Sequence, residues 1–208
     1  MNDSMAYATD EPAPRELPTW KTWAATASAV LLGIIFLVSG TWKVTDPFAA
    51  AVRMNQAKIP EILSLPAALG FGIAELFSAV LLFVPRFRRW GAWLTGLMLV
   101  AFVIYFGALY NVLRGEECNC FPWIKRAVGP AFFIGDGIMF LMALVAGWWS
   151  RPSRGLRSAS IILGAVCVFA FVLLGVHFTR QSGVLAPESV TVDGKAFPLR
   201  QGRVYLFF

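Results

Sequence analysis

The chain has 208 residues, 58% of them hydrophobic and 14% charged, with a formal net charge of +6. Soluble domains carry about 25% charged residues, so this composition excludes a soluble enzyme and indicates an integral membrane protein, one helical bundle with short tails. The basic residues fall between apolar runs, without a block able to grip phosphate, which sets nucleic acid aside and favours loops that face anionic membrane lipids.

Residues 1–22 carry Asp3, Asp10, Glu11 and several prolines, and read as a disordered or cytoplasmic segment. They lack the basic start of a signal peptide, so the first apolar run is expected to stay as an anchor. A membrane span needs about 20 mostly apolar residues. The first such run is Trp23 to Trp42; Lys43 and Asp46 follow it and are expected to clamp its end. The second is Pro66 to Val84, with Pro66 suited to a first helical turn. Glu75 lies inside this run, near the expected bilayer midplane. A carboxyl there is costly and is a functional candidate by default. It could hold a proton, pair with a base or face a quinone headgroup; the plain alternative is a protonated side chain bonded to a neighbouring helix.

The third run is Trp90 to Leu113, and a polar connector follows it. Here Cys118 and Cys120 stand one residue apart, two of the three cysteines in the chain. A thiol pair suggests thiol–disulfide chemistry, in which a thiolate attacks a partner disulfide or an oxidant takes the pair's electrons. Arg114, Lys125 and Arg126 would favour thiolate, opposed by Glu116 and Glu117. A disulfide across one residue closes a small strained ring, which suits an oxidant better than a staple. A static disulfide, two idle thiols and a metal site are the alternatives. The metal is the weakest, because two thiolates with no nearby histidine make a poor zinc site.

The fourth run, Pro130 to Trp149, contains Asp136, a candidate partner for Lys43 or Arg126. The fifth, Ser158 to Phe178, contains Cys167, expected to pack as a small apolar side chain. It also contains His177, the one histidine, expected to be interfacial and not a pigment ligand. Gly70 to Ala74 and Gly91 to Thr95 have the spacing of helix-packing faces. Tryptophans cluster near the run ends, as expected of an aromatic belt.

Lys and Arg are nearly balanced between the two faces. Their density differs: Arg86, Arg88 and Arg89, then Arg151, Arg154 and Arg157, crowd into very short turns. That density places the N-terminus in the cytoplasm, with Cys118, Cys120 and the tail on the periplasmic face of a bacterial cytoplasmic membrane, where disulfides persist. The tail, residues 184–208, is β-prone at Val190 to Val192, has a turn signal at Asp193–Gly194 and reads as a buried strand over Gly202 to Phe208.

Phe36-Leu37-Val38-Ser39-Gly40, Lys43, Asp46-Pro47-Phe48, Glu75 and Cys118-Asn119-Cys120-Phe121 together resemble the DoxX/MauE membrane family over roughly residues 23–149. The resemblance implies a four-helix membrane bundle, here followed by a fifth transmembrane helix over residues 158–178. MauE-type proteins are associated with disulfide formation in a periplasmic methylamine-oxidising enzyme, alongside a thioredoxin-like partner. Val192 to Leu199 followed by Gly202 to Phe208 resembles the opening of a thioredoxin-like domain, which ends here short of a Cys-x-x-Cys helix and so reads as truncated.

The expected protein is an all-α integral membrane protein with a short β-prone periplasmic tail. Its expected function is electron exchange through Cys118 and Cys120 with a periplasmic thioredoxin-like or disulfide-bearing protein, with Glu75 managing a proton or organising the core. A quinone is a candidate electron acceptor that no motif specifies. The alternative is a non-catalytic accessory subunit of a large respiratory or photosynthetic membrane complex. Transport of a small solute is weaker, because no broken-helix repeat is visible.

Overall fold

A computed structural model describes residues 18–115, 127–182, 189–192 and 195–198. Five of its helices are long and apolar enough to cross a membrane. In chain order the elements are α1 (Thr19–Thr45), α2 (Pro47–Gln56), α3 (Glu61–Phe83), α4 (Arg88–Ala108), α5 (Tyr110–Leu113), α6 (Pro130–Trp148) and α7 (Leu156–Ser182), followed by β1 (Ser189–Val192) and β2 (Lys195–Pro198). In hydrocarbon every backbone polar group must be satisfied inside its own segment, so apolar runs of this length become helices. Their outward faces are apolar: Ile62, Leu97, Ile104, Leu141 and Val168 are all exposed.

Four helices, α1, α3, α4 and α6, form the bundle, and α7 packs against α1 and α3. The core is layered. At one end Ala29, Leu32, Leu82, Ala92, Ala143 and Ala146 meet. The next layer joins Phe36, Ala79, Met98 and Leu99, with Phe140 packed against them. Towards the other end Phe106, Leu113, Val128 and Phe132 form an aromatic-rich cluster.

The structure redraws two boundaries and adds one helix. The second span begins at Glu61, so Pro66 sits inside α3 and not in its first turn. The third apolar run breaks after Ala108, leaving α5 as a single separate turn. Between the first two spans lies α2, which the sequence reading missed. Asp46 ends α1 and caps α2, its carboxylate accepting from the Ala49 N–H at 3.2 Å, with Pro47 in the first turn. α2 then lies along the start of α3, where Ala50 and Ala51 pack on Ala68.

Beyond α7, β1 and β2 pair antiparallel with Ser189 opposite Pro198 and Val192 opposite Lys195. That agrees with the β-prone reading of Val190 to Val192. The expected strand over Gly202 to Phe208, and most of the N-terminal segment 1–22, lie outside the described residues.

Close packing of α1 on α3 rests on two glycines. A Cβ on Gly40 would stand 2.8 Å from the Leu76 nitrogen and 2.9 Å from the Gly72 carbonyl oxygen; one on Gly72 would stand 3.0 Å from Lys43 Cβ. The expected packing face at Gly70 to Ala74 is half corrected. Ala74 packs against the Phe36 layer, but Gly70 faces open space, two residues and about 200° of helix away from Gly72. Gly91 does pack as expected, 2.8 Å in the same sense from the Leu82 nitrogen, with Thr95 fully buried one turn on.

These two environments give opposite expectations for one substitution. Gly40→Ala should destabilise the bundle by about 1–3 kcal/mol, the cost of overpacking against backbone. Gly70→Ala should be neutral or stabilise by about 0.5–1 kcal/mol, because helical glycine carries an entropic cost and nothing obstructs the methyl. Thermal unfolding of both variants in the same detergent checks the contrast.

Candidate functional site

The apolar layer of Phe36, Ala79 and Phe140 fixes the level of what lies beyond it. Trp20 meets Trp149 at 5.3 Å, so α1 begins where α6 ends and the two run antiparallel. One turn past Phe36 on α1 comes Gly40, flanked by Ser39 and Lys43. One turn before Ala79 on α3 comes Glu75, and one turn before Phe140 on α6 comes Asp136. Ser39, Lys43, Glu75 and Asp136 are all buried, at 4%, 2%, 4% and 4% exposure. These four polar side chains, which include the buried charged residues Lys43, Glu75 and Asp136, thus occupy one level of the bundle.

At the centre of that level is an ion pair. Lys43 Nζ donates to Glu75 Oε1 at 2.9 Å and Oε2 at 2.8 Å, and to Ser39 Oγ at 2.6 Å. An ammonium has three donors, and all three are used. Ser39 lies one turn before Lys43 on α1, and helical side chains lean towards the N-terminus, so the lysine folds back along its own helix to reach both partners. Next to the pair, Ser78 Oγ donates to the Glu75 carbonyl at 2.9 Å. The expectation that Lys43 clamps the end of α1 with Asp46 is corrected: Lys43 bonds to Ser39 and Glu75, while Asp46 caps α2. Of the readings open for Glu75, pairing with a base is the one observed.

Beyond the polar level, one turn nearer the α6 N-terminus, Phe132 stacks edge-on against Phe106 at 5.2 Å. Next comes the base of the cysteine connector. Cys118 and Cys120 lie outside the described residues, as do Lys125 and Arg126, but the segment's two flanks are held together. The Gly115 N–H donates to the Val128 carbonyl at 3.1 Å. Leu113 and Val128 are both buried in the Phe106–Phe132 cluster, and Arg114 stands 6.0 Å from the Tyr110 ring. The connector therefore leaves and rejoins the bundle at one point, separated from Lys43 and Glu75 by a single aromatic layer.

Cys167 is half-buried and free on α7, beside Val166, which packs on Val44 and Leu76. His177 donates from Nε2 to the Thr45 carbonyl, at the junction of α1 and α2, and its ring lies 6.3 Å from Phe48. It latches the end of α7 to the bundle. Among the described residues no group of three or more His, Cys, Asp or Glu could hold a metal ion.

The fold and site define a multi-pass helical membrane protein with a buried polar level inside its bundle. A family model described as methylamine utilisation protein MauE matches residues 21–150. The chain belongs to the MauE family. The match ends with α6, so the four bundle helices lie inside it and α7 and the hairpin outside. No solved structure matches the chain.

Removing one partner of a buried pair strands a charge in an apolar interior. Lys43→Met should therefore destabilise by about 3–5 kcal/mol, whereas Lys43→Met with Glu75→Leu should recover most of the loss. Thermal midpoints of wild type, both single variants and the double variant in one detergent form the cycle that checks this.

Proposed function

We propose that the protein is a membrane thiol–disulfide redox protein that exchanges electrons through Cys118 and Cys120 with a thiol protein at the same membrane face. The observation that carries this reading is the Gly115 N–H to Val128 carbonyl bond, which joins the two flanks of the cysteine connector at the buried Phe106–Phe132 cluster. A redox pair that meets another protein gains from a fixed base, because less freedom is lost on docking.

The exchange balances without a further oxidant. One cysteine thiolate attacks a partner disulfide, forming a mixed disulfide and releasing one partner thiolate. The second cysteine attacks that mixed disulfide, leaving Cys118–Cys120 oxidised and the partner reduced by two electrons. In reverse, the Cys118–Cys120 disulfide oxidises a partner dithiol. The step balances without a quinone. Glu75 acts in this reading as a positioning residue: with Lys43 it fixes α1 against α3 beneath the layer that carries the connector.

Sidedness belongs to the same proposal. The ends of α1, α4 and α7 and the start of α6 share one end of the bundle, so the connector and the hairpin share a face. Lys21 and the arginine-rich turns share the other. The density of basic charge assigns that other end to the cytoplasm and the cysteines to the periplasm. A thioredoxin-like protein is then the fitting class of partner.

In intact cells, Cys118→Ser or Cys120→Ser should trap a reductant-sensitive mixed disulfide, visible as an off-diagonal pair on a diagonal gel. The reduced wild-type thiols should react with a membrane-impermeant maleimide. The redox reading fails if the double serine variant leaves partner oxidation unchanged. Co-migration of that silent variant with a multi-subunit assembly at fixed stoichiometry would instead support an accessory role.

A further inference from the structure

The arginine-rich end is stitched together by bonds that do nothing for its charge. The turn between α3 and α4 carries Arg86, and the α6–α7 connection carries Arg154. Arg86 Nε donates to the Arg154 carbonyl at 2.9 Å, and the Trp90 N–H donates to Ser153 Oγ at 3.3 Å. Gly155, at φ +97°, leaves the space that the Arg86 guanidinium fills. Both bonds draw like-charged turns together, and neither brings in a carboxylate. The described stretches 18–36, 77–100 and 140–165, which build this end, contain no Asp or Glu.

Arg88 is spent on structure: it donates to the Leu82 carbonyl and to Thr26 Oγ1. Lys21 sits between two indole rings, 5.5 Å from Trp20 and 5.6 Å from Trp149. Arg154, whose carbonyl accepts from Arg86, is exposed, and so is Arg157 in the first turn of α7. The tryptophans place this end at headgroup depth. Directly below the stitched turns, Leu81, Phe87 and Ala159 make an apolar floor, and the outward face of α7 continues it through exposed Leu156 and Ile161.

Guanidinium groups with no carboxylate partner among the described residues, set over an apolar wall, match a phosphate with acyl chains attached. We propose that the niche between the α3–α4 and α6–α7 turns binds the phosphodiester of an anionic phospholipid, held by Arg86, Arg154 and Arg157, with a chain lying along α7. Arginine suits this role because its planar fork donates two parallel hydrogen bonds to phosphate oxygens. The bound headgroup relieves the repulsion that the stitching creates and joins α7 to the bundle.

The test uses the full chain purified in neutral detergent, with native mass spectrometry reading retained lipid. Phosphatidylglycerol should be retained in preference to phosphatidylcholine. Near a membrane surface each basic residue contributes a factor of about fivefold, so Arg154→Gln with Arg157→Gln should lose roughly 25-fold in retention. Arg154→Lys with Arg157→Lys should keep most of it, and Arg53→Gln, at the other end, should change nothing. The glutamine variants leave the Arg154 carbonyl available to Arg86, and an unchanged elution profile confirms that they fold. Equal retention of the two lipids, or wild-type retention by the double glutamine variant, would overturn the proposal. Inorganic phosphate displacing phosphatidylglycerol at equal concentration would also overturn it, by showing that the acyl chains add nothing.

Discussion

An ammonium and a carboxylate facing each other inside an apolar bundle set the geometry of everything around them. Moving two charges out of water costs several kcal/mol per ion even after relaxation, and only close, fully bonded geometry offsets it. Lys43 meets that condition with three short bonds to Ser39 and Glu75. The same condition explains the glycines. Lys43 and Glu75 belong to helices whose backbones must nearly touch for the pair to close, and Gly40 and Gly72 are where they do. It explains the break after α1 as well: with Lys43 held in the last turn, the chain bends at Asp46 and lays α2 along the start of α3.

The polar level also divides the bundle into unlike halves. On one side small residues such as Ala29, Ala92, Ala143 and Ala146 let four helices pack closely, ending in tryptophans and arginines. On the other, aromatic rings pack around Phe106 and Phe132, with Leu113 and Val128 at the two flanks of the cysteine connector. The asymmetry of the core thus runs in the same direction as the asymmetry of charge.

The spans were legible because hydrocarbon allows little else: a run such as Ser158 to Phe178 has no alternative to a helix. Glu75 was legible as a candidate for the same reason, since a carboxyl inside an apolar run must have a use or a partner. That partner was not legible. Lys43 stands thirty-two residues away, and its place just past an apolar run is equally that of a snorkelling lysine or a helix-end clamp. The signal that could have separated these was Gly40 and Gly72, each three residues before its charged neighbour. α2 was missed because ten residues with moderate amphipathicity look like a loop beside five long apolar runs. Pro66 was misread as a helix start because the preceding turn, Glu61 to Leu65, carries charge and exposure and does not resemble a membrane segment.

Why such a pair persists where two leucines would fill the space follows from the solvent. In lipid there is little hydrophobic gain from turning one apolar helix face inward instead of another, so packing alone leaves rotation and sliding weakly determined. A buried ammonium with its acceptors on two helices removes that freedom. If α1 slid by one turn against α3, Lys43 would lose Glu75 and a backbone carbonyl would meet a side chain where Gly40 now sits. The pair therefore acts chiefly as a register lock. Its value is a fixed register of α1 against α3 beneath the Phe106–Phe132 cluster.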